Sequence, residues 1–388
     1  MSRKLFLLLA LLALVAGAGA QAQENTPRPL TFFMTFVPNV QFAPVYAALE
    51  NGDFAAAGLD ITVEHGFDEA LGVERIALNE LQFGLISGEQ IIRARAQQRP
   101  VVYVYAWFQQ YPVGIVTALE SGIASINDLR GRRVGIPVTS GASYSGLTAI
   151  LAANNLTLND IQLETIGFNA PEVLCIGGVD AAVIYTNNEP LQIQLRAEQG
   201  DCGDISGVRV FPVSEFGNLV SNGIVTNEET IANDPELVRA FVGAFDSGLR
   251  AVIDNPAQAF LWSAQYVEGL LTDDALRAAL ENEAAAQTAF LATAPDSAAV
   301  ADSRLALRER LAQEFDNAAL LQFDVLLESI LLWQADQPGY SDAASWEAMQ
   351  NTLLALIDPA TGSPILPQAI DLSQAFSNEF LPEAAEGA

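Results

Sequence analysis

The sequence predicts a two-lobed α/β protein with a long helical C-terminal region. Three observations lead there. Short β-rich runs alternate with helices of about ten residues, the signature of a parallel sheet flanked by helices. The alternation then restarts in a second block of similar length, and from residue 234 onward the pattern is almost wholly helical. Two tandem blocks of about a hundred residues each fit two lobes better than one closed barrel.

Residues 30–37 and 59–65 are β-rich and flank an apolar helical stretch, 44–50, which Asn51 and Gly52 close with side chains tolerant of positive φ. A helix over 74–81, a buried strand over 82–86, a helix over 88–96 and a strand over 100–107 complete the first block. The second runs through a strand at 114–117, a short helix at 126–129, a strand at 133–136 and a helix at 144–154. Strands at 161–166 and 180–185 and a helix at 191–197 follow, and 223–226 reads as a strand returning to the first lobe. Helix starts at Asp234-Pro235-Glu236, Asn255-Pro256 and Thr272-Asp273-Asp274 each pair a cap with first-turn residues. Residues 276–315 read as an amphipathic surface helix pair. The expected organisation is a first lobe over 29–112, a second over 113–219, a return with C-terminal helices over 220–381, and a disordered tail over 382–388.

Composition narrows the chemistry. In 388 residues, 18 Lys plus Arg stand against 47 Asp plus Glu, a formal charge of −29, with 51% hydrophobic residues. Such a chain builds packed cores, and its charge opposes nucleic acid and anionic membrane surfaces, which are held by cationic faces. Lys4 is the only lysine and His65 the only histidine, which removes a Schiff-base lysine, a histidine-rich metal site and most acid–base triads. His65 itself reads as a solvated strand-end residue.

Arg3 and Lys4, an apolar run over 5–16 and the small residues before Ala22 form a secretory signal over 1–22, too short to span a bilayer. No cysteine follows the run, so no lipid anchor is expected. Cleavage leaves 16 basic residues against 47 acidic ones, −31. Export also permits a disulfide between Cys175 and Cys202 across the 26 residues between them, although two separate thiols fit the sequence equally well.

In an open α/β sheet, ligands sit beyond the carboxyl ends of the strands. Asn39, Gln41 and Phe42 follow the first strand and are candidates for ligand contact, the plainer alternative being a helix cap with Phe42 in the core. Ser87 follows the strand at 82–86 and opens a helix, although any N-cap serine looks the same. Tyr103, Tyr105, Trp107, Gln110 and Tyr111 crowd rings and amides where the chain is expected to cross between lobes, and alternation places Tyr103, Tyr105 and Trp107 on one side with Phe108 on the other. Ser140, Gly141, Ser143 and Tyr144 form a loop before a helix, without the lysine or spacing of a P-loop. Tyr185, Asn187, Asn188 and Glu189 end the matching strand of the second block. Aromatic faces beside amides suit a flat, nitrogen-bearing ring, while plain capping and inter-lobe packing are the alternatives for each loop.

Several of these segments resemble the ABC-transporter solute-binding proteins related to the thiamine-pyrimidine-precursor and alkanesulfonate binding proteins. The resemblance lies in Pro38 to Tyr46, Glu50 to Phe54 with Gly58-Leu59-Asp60, Phe83 to Gly88, Gly131 to Pro137, and Val179 to Val183 with Asn188-Glu189-Pro190. More narrowly, Pro38 to Ala43, Gln109 to Pro112 and Gly141 to Tyr144 are similar to the riboflavin-binding members, of the RibY type. The resemblance implies a type II periplasmic-binding-protein fold of the Venus-flytrap kind, with hinge strands near 107–117 and 216–226. It implies a monomer without cofactor that binds riboflavin, or alternatively a thiamine pyrimidine precursor, and delivers it to an ABC permease with its ATPase. A ligand-sensing domain read by a signalling partner is the alternative of another class. A pyrimidine synthase shares this fold but needs a pyridoxal-binding lysine and a cysteine-rich iron motif, and the chain after its signal has neither. The C-terminal half is longer than the family leads one to expect.

Overall fold

The computed structural model describes residues 27–217, 219–357 and 362–383. The signal read over 1–22 and most of the tail read over 382–388 lie outside the described residues. The first lobe is built from β1 (Arg28–Thr35), α1 (Ala43–Glu50), α2 (Asp53–Ala56), β2 (Leu59–Gly66), α3 (Glu69–Ala77), β3 (Phe83–Ser87), α4 (Gly88–Ala96) and β4 (Val101–Tyr105). The second holds β5 (Val113–Ala118), β6 (Arg133–Ile136), α5 (Gly141–Ala153), β7 (Gln162–Thr165), α6 (Ala170–Cys175), β8 (Ala181–Tyr185), α7 (Glu189–Glu198) and β9 (Val208–Pro212). The chain then returns through β10 (Asn222–Asn227).

The two five-stranded sheets have the orders β2-β1-β3-β10-β4 and β7-β6-β8-β5-β9. In each, the strand delivered by a crossing from the other lobe runs antiparallel to its neighbours: β10 between β3 and β4, and β5 between β8 and β9. The remaining pairs are parallel, so the loops after β1, β3, β6 and β8 open toward one edge of each sheet. The edge strand β9 had no counterpart in the sequence reading. It is short and only partly buried, so no long apolar run announces it.

Pairing of β4 with β10 slips between Ile224 and Val225, where Ile224 faces Tyr105 and Val225 faces Tyr103. The extra residue is a bulge, which breaks the alternation of side chains. Tyr103 therefore enters one core with Ala106 and Trp346, while Tyr105, Trp107 and Phe108 all enter the other. The expectation that Tyr103, Tyr105 and Trp107 share a face, opposite Phe108, is corrected by that one inserted residue.

The C-terminal region forms α8 (Glu228–Asn233), α9 (Pro235–Asp254), α10 (Pro256–Ser263), α11 (Asp274–Leu291), α12 (Ser297–Leu311), α13 (Asn317–Trp333) and α14 (Ala343–Ala355). Asp234, Asn255, Asp273, Asp296, Asp316 and Asp342 each cap the following helix by accepting a backbone N–H. Along α9, Leu237, Phe241, Phe245, Leu249 and Val252 recur at helical spacing and are buried against the first lobe. Each contributes about 1.5–3 kcal/mol by leaving water.

α9 lies directly on α1. A Cβ at Gly248 would sit 2.4 Å from the Pro44 carbonyl oxygen and 2.6 Å from the Ala48 Cβ, whereas a Cβ at Gly243, on the same helix, meets nothing within 4 Å. Gly248→Ala must push the helices apart and is expected to cost about 1–3 kcal/mol, while Gly243→Ala is expected to gain up to about 1 kcal/mol from helix propensity. Urea denaturation of the two variants checks the opposite signs. Cys175 and Cys202, 27 residues apart in sequence, are disulfide-bonded and close the end of α6 onto the loop after α7. A loop of that length confers about 3.5 kcal/mol through the unfolded chain, so melting with and without reductant is expected to show a clear loss on reduction.

Candidate functional site

The carboxyl ends of the strands bring three groups of side chains together between the lobes. The first is acidic. Ser87, fully buried at the end of β3, places its Oγ 2.6 Å from Glu69 Oε2 and 2.5 Å from Glu89 Oε1, and its N–H donates to Glu69 Oε1 at 3.2 Å. Asn222 of the returning strand donates to the same Glu69 oxygen at 3.3 Å. Glu69 keeps part of its residue surface in solvent, but its carboxyl faces inward onto these donors. Burial pushes its pKa up from the ordinary 4.5 to about 7. Burial, and then the neighbouring Glu69 carboxylate, push Glu89 to about 8. Across the cleft, Glu189 accepts the Tyr185 N–H at 2.9 Å, and burial lifts it to about 7. The Tyr185 hydroxyl lies 3.5 Å from Asn222 Oδ1.

The second group is an aromatic rim. Phe36 follows β1, Phe67 follows β2 and Phe168 follows β7 in the other lobe. Their ring centroids are 5.9 Å apart for Phe36 and Phe67, 5.2 Å for Phe36 and Phe168, and 6.5 Å for Phe67 and Phe168. Phe67 and Phe168 are 68% and 53% exposed, so this is an apolar cluster facing solvent. Phe36 has φ +90°, an outlier for so bulky a side chain. Its N–H donates to the Gly66 carbonyl at 2.6 Å, and its carbonyl oxygen lies 2.9 Å from His65 Nδ1. His65 is thus half-buried rather than solvated, and burial lowers its pKa, so the neutral ring donates to Phe36. Strain of this kind persists where surrounding structure over-determines it, most often at binding sites.

The third group joins both lobes to the C-terminal extension. Asn187 Nδ2 donates to Gln41 Oε1 across the cleft at 2.8 Å and to Ser329 Oγ of α13 at 2.7 Å. α13 packs against both α7 and the turn over Val40–Phe42. Its last residue, Trp333, lies with Trp107 and Phe108, ring centroids 6.1 Å and 6.0 Å away.

The residues singled out in the sequence occupy different settings. Asn39 caps the turn over Val40–Phe42 by accepting the Gln41 N–H, Phe42 is buried beside His65 and Trp107, and Trp107 is fully buried in the first-lobe core. Gln110 is exposed and its backbone N–H donates to Leu332 at 3.1 Å. Ser140 is exposed at the start of α5, Gly141 has φ +68°, Ser143 is buried, and Tyr144 donates its hydroxyl to the Ile357 carbonyl at 3.1 Å. Asn188 accepts from Gln192 within α7. Phe67, Phe168, Glu69, Asn222 and Ser329 went unnoticed in the sequence, and Phe36 lay within the β-rich run over 30–37. Glu69 lay outside the helix read over 74–81, which in the structure starts earlier, at Glu69 behind its Asp68 cap, and nothing local marks Phe36 as strained. Two phenylalanines in glycine-flanked loops, Gly66-Phe67 and Gly167-Phe168, were the one available signal.

Facing α/β sheets joined by two crossings, with polar loops and exposed rings at the carboxyl ends of their strands, define the two-lobed periplasmic-binding-protein fold. Residues 39–259 match the family described as NMT1/THI5 like, and the chain belongs to that family. It is 29% identical over 373 residues to the riboflavin-binding protein RibY of Chloroflexus aurantiacus, covering 94% of this chain and 89% of that one. It is 26% identical over 256 residues to the formylaminopyrimidine-binding protein of Halalkalibacterium halodurans, covering 65% and 75%. Among solved structures, the periplasmic aliphatic sulphonate binding protein SsuA of Escherichia coli superposes with a TM-score of 0.52 at 18% identity over 66% of this chain and 83% of that one. No helix among the described residues is long and apolar enough to cross a membrane.

The raised carboxyls carry a pH signature. The folded chain holds protons on Glu69 and Glu89 to higher pH than the unfolded chain does, so their stabilising contribution is complete below about pH 4.5 and is lost as pH rises through about 7 and 8. Glu89→Gln, which cannot ionise, is expected to gain stability relative to the parent chain across that window, read as a widening difference in melting temperature.

Proposed function

We propose that the chain is the extracytoplasmic solute-binding component of an ABC importer and that its ligand is a flavin, held between the lobes and handed to a membrane permease with its ATPase. The aromatic rim carries this reading. Three phenylalanines from both lobes converge, two of them exposed to solvent, an arrangement suited to a flat tricyclic ring that stacks on them. The match along nearly the whole chain to a riboflavin-binding protein supports the same ligand. Asn39, Gln41, Ser87, Ser140, Gly141, Ser143, Tyr185, Asn187, Asn188 and Glu189 remain the proposed polar contacts, with Tyr144 and Phe42 behind them and Trp107, buried in the core, supporting Phe42. Asn187 bridges Gln41 of the first lobe and Ser329 of the extension, so a ligand that takes Asn187 or Gln41 as a contact competes with that bridge. Binding without turnover fits a chain with one histidine and no lysine beyond Lys4.

Titrating the exported form with riboflavin is expected to quench flavin fluorescence at submicromolar ligand, with formylaminopyrimidine unable to compete. Phe168→Ala is expected to weaken binding about tenfold by removing the second lobe's ring from the stack. Unchanged fluorescence with an intact circular dichroism spectrum overturns the flavin assignment and moves the ligand to a pyrimidine precursor.

A further inference from the structure

We propose that the small cavity at Glu89 is a subsite for the hydroxyls of a neutral polyol chain, which rests on the flavin reading in that the flavin's ribityl arm would supply the chain. A serine hydroxyl has one proton, so Ser87 cannot donate to two ionised carboxylates at once. With Oγ 2.6 Å from Glu69 and 2.5 Å from Glu89, one carboxyl must itself be protonated and donate to Oγ. The cluster therefore holds one negative charge between two carboxyls. That arrangement uses Glu89 Oε1 and leaves Oε2, which has no protein partner although the residue is only 1% exposed. A buried acceptor left unpaired is costly unless something else fills it.

Glu89 lines a cavity of about 70 Å³ with Arg93 of the same helix, Ser140, Gly141 and Tyr144 of the second lobe, and Leu353 of α14. This space holds about two waters at roughly 30 Å³ each, or a comparable pair of hydroxyl-bearing carbons. Its polar groups are the Glu89 carboxyl, the Arg93 guanidinium and the hydroxyls of Thr139, Ser140 and Ser145. A hydroxyl both donates and accepts and satisfies carboxyl and guanidinium together, whereas a cation meets Arg93 and an anion meets the carboxyl pair. Gly141 places the lobe-two wall close by: a Cβ there would lie 3.9 Å from Glu69 Oε2. The walls come from both lobes and from the extension, so an occupant contacts all three.

The test compares riboflavin with lumiflavin, the same ring without the polyol chain, and adds ribitol alone. Riboflavin is expected to bind at least about tenfold tighter than lumiflavin, and Glu89→Leu to reduce riboflavin to lumiflavin's affinity without changing lumiflavin's. In the unaltered protein, millimolar ribitol is expected to shift the ¹³C carboxyl resonance of Glu89, a readout that stands if the variant fails to fold. Equal binding of the two flavins with no ribitol shift overturns the subsite and leaves the flavin reading intact. A ribitol shift without flavin binding supports the subsite and overturns the flavin reading. Absence of both effects overturns both.

Discussion

One carbonyl ties the molecule together. Leu332 O, at the end of α13, accepts the backbone N–H of both Gln109 and Gln110, in the segment where the chain first crosses between lobes. Around it, Gly339 accepts the Ala106 N–H, and residues 375–377 exchange hydrogen bonds with Tyr103 at the edge of the first sheet. The extension thus holds the backbone of the segment that passes from one lobe to the other. From that attachment follows the placement of Ser329 against Asn187, of Trp333 against Trp107, and of α14 against both α4 and α5. The long C-terminal region is therefore a strap across the crossing between the lobes and across the cleft. It adds a third wall to a space that two lobes alone would enclose.

The cleft is also where local rules are broken. Phe36 takes a φ that its side chain disfavours, two carboxyls share one serine hydroxyl, and three phenylalanines meet in solvent while larger aromatic rings are fully buried. Each feature costs stability where it stands, and such departures concentrate at sites that bind something. Elsewhere the acidic chain manages its charge conventionally. Its arginines pair with carboxylates at the surface, as Arg133 does with Asp180 and Arg310 with Glu283, and pairs of this kind contribute little individually.

Much of the fold was legible because it depends on short-range regularities. The alternation of apolar runs marked β1, β3, β4 and β8, and the capping residues Asp234, Asn255 and Asp273 marked helix starts. Loops after parallel strands were legible as candidate contacts for the same reason, since the rule depends on strand direction and not on particular partners. The register of β4 was not legible, because a bulge is set by its neighbour β10, more than a hundred residues later in the chain. His65 was misread as solvated because the Phe36 carbonyl it meets comes from the loop after the neighbouring strand, 29 residues earlier in the chain.

What the sequence by itself determined is the inventory: two α/β lobes, a helical extension, strong negative charge, and no nucleophilic lysine or histidine cluster. Those properties are sums over residues or repeat at short spacing, so no knowledge of distant contacts is required. Only the tertiary structure decided which groups share the cleft. Glu69 meets Ser87 across 18 residues, Asn187 meets Gln41 across 146 and Ser329 across 142. Burial, which raises the carboxyls, and strain, which bends Phe36, are likewise properties of packing between elements. No side chain carries them until the lobes and the extension are assembled.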